Sequence, residues 1–413
     1  MATGFNTDVY FVNIRDPENP VLTIKENQII GNCVGMFVYG PFGYIANSNN
    51  RLHKVDLRTH EVLWSETVGQ IVQDVQVSRG IVYLLTTQNL EIYRDSGEGL
   101  ELLGSVTVTG AAAPLETGTK LFVGGDYAYQ GYFRGYSVID ISNPATPMIV
   151  GTPPETQLAV HDLVTSGSGH RLVATSNGGE TTLKLTVYEG SDPSVVNSAV
   201  TDFDTPGYTR SVVMHQGLAL VSDTEEDMQI INFLGQDPLN EPPTLTIETP
   251  FESDNMIVEN DAVTWLYVDV SDNHLVRKAD LYLDGKLYSS DGNFPFEFVY
   301  IPPALTENKD SFTAKVRATD MDGLLVESEE LVINVVDTIP PILFDFFPGA
   351  GSYRYEEDAV NRVFVIANEP LDVLNINNAS MVLIEAGSDG TFDTADDVDL
   401  PGTVSFNSDT LEL

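Results

Sequence analysis

Cysteine is almost missing from this chain. Of 413 residues only Cys33 carries a thiol, so no disulfide can close within the chain and packing must hold its domains. Cys33 lies among apolar residues in IIGNCVGMFVYG, which suits a buried structural thiol rather than a nucleophile. Positive charge is scarce as well: 20 Lys and Arg stand against 61 Asp and Glu, a formal net charge of −41. That balance excludes nucleic acid and anionic membrane as partners, because both are bound by basic groups that displace counterions. No window approaches eighteen uninterrupted apolar residues, so no membrane-spanning helix is expected. The opening MATGFNTDVY holds neither the basic nor the apolar stretch of a secretory signal.

Groups for chemistry are sparse too. SGSGH at 166–170 lacks the order and the strand-turn-helix setting of a nucleophile elbow. The six histidines show no metal-ligand spacing. His161, beside Asp162, is expected in a structural role, and His215, in an alternating strand, in a hydrogen-bonded core or a channel-facing one.

What is present is strand after strand, with no helical periodicity to compete. The organising stretch is FRGYSVIDISNPATPMIVGTPPE, residues 133–155, in which an apolar strand ends at Asp140, turns through Ser142-Asn143-Pro144, and resumes at Met148. Copies of this unit at 9–24, 52–69, 90–108, 183–200 and 228–243 align Asn13, Asp56, Tyr93, Asp140, Tyr188 and Asn232. They recur about every 44 residues, the period of a four-stranded propeller blade. Between them lie hairpins such as DVQVSRGIVYLLTTQ and SVVMHQGLALVSDT, with Gly80 and Gly217 at their turns. Residues 1–240 are therefore expected to form a β-propeller of about six blades, closed by letting the N-terminal strands complete the last blade.

The strand V-I-D-I followed by S-N-P and T-P resembles the bacterial surface propellers called LVIVD-repeat proteins, most closely at 136–150 and next at 9–24. VDLRTHEVLWSE is similar to a blade of the pyrroloquinoline-quinone propellers, but it stands alone, and Trp64 is expected in the core rather than at a quinone site. The aspartate box of sialidase propellers is not found.

Pro242-Pro243 and Pro340-Pro341 mark two linkers. Between them, 241–337 alternates as a two-faced sheet protein: Phe312, Ala314, Val316 and Ala318 against Thr313, Lys315, Arg317 and Thr319. It resembles a bacterial Ig-like domain, with Asp284-Gly285 as a hairpin turn. Residues 338–413 resemble a second Ig-like domain, of the surface-layer-associated type, expected to be truncated because its closing strands are not in the sequence. The fold class is thus all-β, a propeller followed by two Ig-like sandwiches.

The C-terminal part is the more acidic, 34 acids to 8 bases over 241–413 against 27 to 12 before it. The loop GSDGTFDTADDVD, residues 387–399, crowds Asp389, Asp393, Asp396 and Asp397. Calcium takes about six to eight oxygen ligands, which makes this loop the candidate calcium site, with a plain turn as the alternative. Asp269, Asp272, Asp320 and Asp322 at the ends of the middle domain are further candidates.

These resemblances imply a non-enzymatic binding or adhesion protein, extracellular or at the cell surface. Its propeller would be a recognition head or spacer for a glycan, peptide or surface protein, and its Ig-like domains an extended stalk, with further domains of the same polypeptide beyond them. A polysaccharide-acting hydrolase or lyase with acids converging in the propeller channel is one alternative. A self-associating surface-layer scaffold is another.

Overall fold

The computed structural model describes residues 2–3, 9–13, 18–25, 29, 31–108, 120–132, 135–150, 158–177, 183–196, 198–225, 227–233, 239–251, 256–260, 262–303, 309–338, 343–347, 363–367, 371, 376–407 and 412–413, with no helix among them. The chain divides into two compact units, Met1–Val336 and Asp337–Leu413.

In the first unit, six antiparallel sheets occupy residues 2–231. Sheets 2 to 5 (33–67, 72–107, 120–150 and 158–204) are four-stranded meanders, while sheets 1 (2–25) and 6 (209–231) show three strands each among the described residues. The innermost strands Cys33–Tyr39, Val72–Ser78, Lys120–Gly124, Leu158–Thr165 and Thr209–His215 lie side by side. The described residues thus form six blade-like sheets of a β-propeller, all-β as the repeat spacing indicates. Blades adhere through buried aliphatic layers, for example Leu85, Leu90 and Ile92 against Leu121, Ala128 and Ile139. Each such side chain contributes about 1.5–3 kcal/mol. Trp64 is core, buried beside Val72, Val75 and Leu84 and edge-on to Tyr44. Cys33 is half-buried and its thiol donates to the Gly35 carbonyl.

Among the described residues the N-terminal strands are not paired with the last blade, as closure was expected to require. Val9–Asn13 pairs with Val21–Lys25 and with Ala2–Thr3 in a sheet of its own. Phe11 and Ile29 bury against Ile45 and Val55 of sheet 2, and Phe11 stacks on His60. Local hairpin pairing and this apolar contact outweigh the long-range pairing expected from closure.

A recurrent bulge shapes the inner ring. Register shifts fall between Cys33 and Gly35, Val72 and Asp74, Val160 and Asp162, and Thr209 and Ser211. At two of these a carboxylate spans neighbouring blades. Asp74 accepts from its own neighbour Val75 N–H and from Leu121 N–H of the next blade, both at 3.0 Å. Asp162 does the same with Leu163 N–H, and with Ser211 Oγ and Val212 N–H of the next blade at 2.6 and 3.0 Å. Gly35 lets the first of these approach, since a Cβ there would lie 2.8 Å from Asp74 Oδ1. Buried carboxylates demand such donors.

The Ig-like sandwich follows within the same unit. Its three-stranded sheet orders Thr244–Glu248, Thr264–Ser271 and Phe296–Tyr300. The facing sheet runs Ile257–Glu259, Leu331–Val336, Ser311–Asp320, Val276–Leu283 and Lys286–Asp291. Leu266, Val268, Phe296 and Phe298 meet Ala279, Leu281, Phe312, Val316 and Ile333 between them. The strict alternation along Ser311–Asp320 matches the two-faced pattern in its sequence. Asp284 and Gly285 take φ of +50° and +70°, as a primed hairpin turn requires.

The Asp337–Leu413 unit pairs Leu343–Phe347 with Phe364–Ala367, and Leu383–Glu385 with Val398–Leu400. Phe347 stacks on Phe364 at 5.1 Å, and Val365 exchanges backbone hydrogen bonds with Leu413.

Candidate functional site: the capped channel mouth

Each inner strand turns into its neighbour at the same end of the ring. These turns carry Gly40, Arg79-Gly80, Gly125, Gly167 and Gln216-Gly217, all at positive φ. They form the seat on which the sandwich rests. Val299 fills the space a Cβ on Gly40 would need, 2.3 Å from its Cγ1, and Met321 does the same at Gly217, 2.2 Å from its Sδ. Phe294 presses on Gly124 and Gly167, where added Cβ atoms would approach its ring to 2.5 and 2.3 Å.

Polar contacts fix the seat. Glu297 of the sandwich accepts from Tyr39 Oη at 2.5 Å, Ser78 Oγ at 2.8 Å and Arg79 N–H at 2.7 Å. Tyr39 Oη accepts in turn from Gly80 N–H. The Arg79 guanidinium lies 4.0 Å from the Tyr267 ring centre and reaches Asp126 and Glu248. Gln216 N–H donates to the Gly292 carbonyl, and His215 Nδ1 lies 3.3 Å from the Asn293 side chain. Burial pushes the Glu297 carboxyl above the usual range even though its donors favour the charged form, and burial raises Asp291 to about 6.

Two spaces adjoin the seat. A channel cavity of about 890 Å³ is lined by Met36, Asp74, Lys120, Asp162 and Ser211 from the propeller and by Phe294 from the sandwich. A crevice of about 630 Å³ on the other side of Phe294 is bordered by Arg79, Asp126, Tyr127, His170 and Asp272. The channel carboxylates Asp74 and Asp162 line the same cavity, each engaged by the inter-blade donors described above, and burial pushes both above the usual carboxylate range. Lys120 lies 3.9 Å from Asp74.

The proposed stalk is corrected here for the first Ig-like domain: it packs on the propeller despite Pro242-Pro243. The reason is on its three-stranded sheet. Alternation turns Leu266 and Phe298 to the sandwich core, and Trp265, Tyr267, Glu297 and Val299 to the opposite face. A sheet that is apolar on both faces must be covered on both. That pattern was present in TWLYV and FEFVY but reads as an ordinary strand until the second face is considered. His215 sits at this seam rather than in a core, while His161 is half-buried, its basicity lowered first by burial and then by Arg210.

The candidate calcium loop brings Asp389, Asp396 and Asp397 to one turn. Asp396 accepts from Ser388 Oγ, Asp389 N–H and Thr394 Oγ1, and Asp397 from Gly387 and Thr394 N–H. These bonds hold Asp396 and Asp397 below the usual carboxylate range. Asp393 takes φ of +66° in the same turn. Asp272 and Asp320 cap His274 and Leu324 N–H at the end of the sandwich; Asp269 borders the crevice, and Asp322 lies in the turn after Asp320. Among the described residues no three His, Cys, Asp or Glu are arranged as a metal-binding group.

The fold and seat together define an all-β protein, a β-propeller whose channel mouth is covered by an Ig-like sandwich. Comparison with family models is consistent with each part: residues 119–152 match the LVIVD repeat and residues 243–314 match the bacterial Ig domain. Both fit a surface or secreted β-propeller protein. No curated protein matches the chain. Solved structures with similar coordinates include a chain of the mitotic checkpoint complex (11% identity, 55% of this chain and 72% of that one, TM-score 0.41). Others are Raptor of Chaetomium thermophilum (12%, 72% and 24%, 0.39) and the Pan2 WD40 domain of Neurospora crassa (11%, 50% and 65%, 0.40). At these scores they carry no argument. No helix among the described residues is long and apolar enough to cross a membrane.

Proposed function

We propose that this is a non-enzymatic surface or secreted binding protein whose head is the propeller locked to its first Ig-like sandwich. The observation that carries this reading is the covered mouth: Phe294, Val299 and Met321 of the sandwich seat on its glycine turns, and the channel acids are bonded between blades. A hydrolase or lyase needs a reachable pair of carboxylates, which this seat does not offer to a polymer entering from the sandwich side. Recognition of a glycan, peptide or neighbouring surface protein then falls to surfaces outside the seat. The test is to pass immobilised polysaccharides and surface proteins over the full chain while assaying for released sugar. Retention without product is expected; catalytic release of product overturns the reading.

Calcium at 387–399 is a second reading, supported by Asp389, Asp396 and Asp397 sharing one turn, and it requires a cation to draw together carboxylates that are not yet arranged as a ligand set. A cation there would take the place of the Ser388 and Thr394 hydroxyl donors.

A further inference from the structure

The bulges of the inner strands align Gly35, Asp74, Asp162 and Ser211. From each of these positions the next residue and the third turn toward the preceding sheet, and the second toward the following one. Val75 and Val77 are thus buried against sheet 2 beside Tyr39. Leu163 is buried against Tyr129 and Val138 of sheet 4, and Val164 against Val212 and Met214 of sheet 6. At one seam the matching side chains are open. Met36 and Val38, in the places of Val75 and Val77, are 37% and 51% exposed, and Val213, in the place of Val164, is 51% exposed. All three border the channel cavity.

These residues are not scattered. Register carries the Val213 face across sheet 6 to Leu220 and exposed Ile230, with exposed Met228 on the same side. Sheet 1 turns Phe11 to sheet 2 but leaves Val12 and Leu22 exposed on its other face. A contiguous apolar surface of this kind marks an interaction site. At this seam sheet 1 ends on Ala2–Thr3, which pairs with Val9–Asn13 along one edge, whereas sheets 2 to 5 have four strands.

We propose that the seam is a strand-acceptor site: an extended peptide of a partner protein enters between sheets 6 and 2 and serves as the inner strand of sheet 1. The other seams define the occupant, because at each of them the same side chains are covered by an inner strand of the adjoining sheet. Its backbone pairs along the edge of Ala2–Thr3 that faces away from Val9–Asn13. Its side chains alternate between Val213 on one side and Met36 and Val38 on the other, so the peptide is apolar at successive positions. Asp74 and Asp162 border the same cavity and the chain carries −41, which selects a peptide without net negative charge.

This inference rests on the binding reading and names the class of partner. The probe is a labelled synthetic peptide of residues 208–216, YTRSVVMHQ, an inner strand with apolar groups on both faces and one arginine. It is titrated with the full chain by fluorescence anisotropy at constant ionic strength, beside a scrambled peptide of equal charge. Saturable binding of the ordered peptide alone is expected, with amide protection gained at 36–38 and 211–213. Val38→Asp and Val213→Asp, both at exposed positions, should each weaken it about tenfold or more, the loss of one buried aliphatic contact. Leu102→Asp, on the exposed face of an outer strand, should leave it unchanged. Equal binding of the scrambled peptide, no saturable binding, or full binding by the folded seam variants overturns the proposal. So does self-association that protects the same residues without peptide. A chain that fails these tests yet is still retained by an immobilised surface protein or polysaccharide loses this inference and keeps the binding reading.

Discussion

Tyr39 and Glu297 lie 258 residues apart in the sequence and share a hydrogen bond of 2.5 Å. Through it the innermost strand of sheet 2 and the outward face of an Ig-like strand become parts of one compact unit, Met1–Val336.

Removing the Tyr39 hydroxyl tests that bond. Tyr39→Phe leaves Gly80 N–H without its acceptor and takes one donor from a half-buried carboxylate. We expect a loss of about 1–3 kcal/mol, read as a lower denaturant midpoint with an unchanged slope. A change within error would show that solvent, not the seam, satisfies these groups.

Gly167 and Gly97 make a matched pair. Both have positive φ, +73° and +89°, but only at Gly167 does an added Cβ meet Phe294, at 2.3 Å; around Gly97 nothing lies within 4 Å. Gly97→Ala should cost only backbone strain, about 1–2 kcal/mol, and Gly167→Ala a further 1–3 kcal/mol or so for overpacking. Thermal unfolding of the two variants side by side gives the comparison, and equal losses would mean that Phe294 does not seat there.

Asp162 is expected to matter for the ring rather than for chemistry. Asp162→Ala orphans Val212 N–H and Ser211 Oγ in the neighbouring blade, a loss of about 2–4 kcal/mol. Asp162→Asn should recover part of it, since an amide oxygen still accepts. Calorimetry of both variants decides; a stable Asp162→Ala chain would assign the carboxylate another role.

His53 gives the acid limb of stability. Its ring lies between Asn47 and Ser65, and burial lowers its basicity to about 4. A folded-state value below the unfolded one near 6.5 means stability is fully present above pH 6.5 and is lost as pH falls toward 4. Urea titrations from pH 7 to pH 4 should show a shallower decline in His53→Gln than in the native chain. Parallel declines would assign the acid limb to the carboxylates that are held low, such as Asp56 bonded to Arg58 and Asp95 bonded to Lys54 and Tyr44.

For the 387–399 loop, unfolding is to be followed with calcium and then with chelator at constant ionic strength. A calcium-specific rise in the transition of the Asp337–Leu413 unit is the expected outcome of the cation reading. Identical transitions would leave the loop closed by Ser388 and Thr394 alone.

Much of the fold was legible because it is local. The 44-residue recurrence marks out the blades, the alternation in FTAKVRAT marks a sandwich strand, and Asp284-Gly285 marks its hairpin. The site was less so. Glu297 and Arg79 lie in unremarkable strands and turns, and a half-buried, bonded acid in FEFVY is indistinguishable from a solvated one until its partners are known. Closure was misread for a related reason: Val9–Asn13 can pair in more than one sheet by pattern, and only Phe11 against Ile45 and Val55 selects among them.

By itself, then, the sequence determined what is repeated and summed: all-β blades, an Ig-like sandwich and a net charge of −41. Those properties follow from side-chain alternation at short range and from summed charge. The tertiary structure decided that the sandwich caps the propeller and that the channel acids serve as staples between blades. Both depend on which faces meet across more than two hundred residues, where close approach at glycine turns and the desolvation of a few carboxylates outweigh the stiffness of a proline linker.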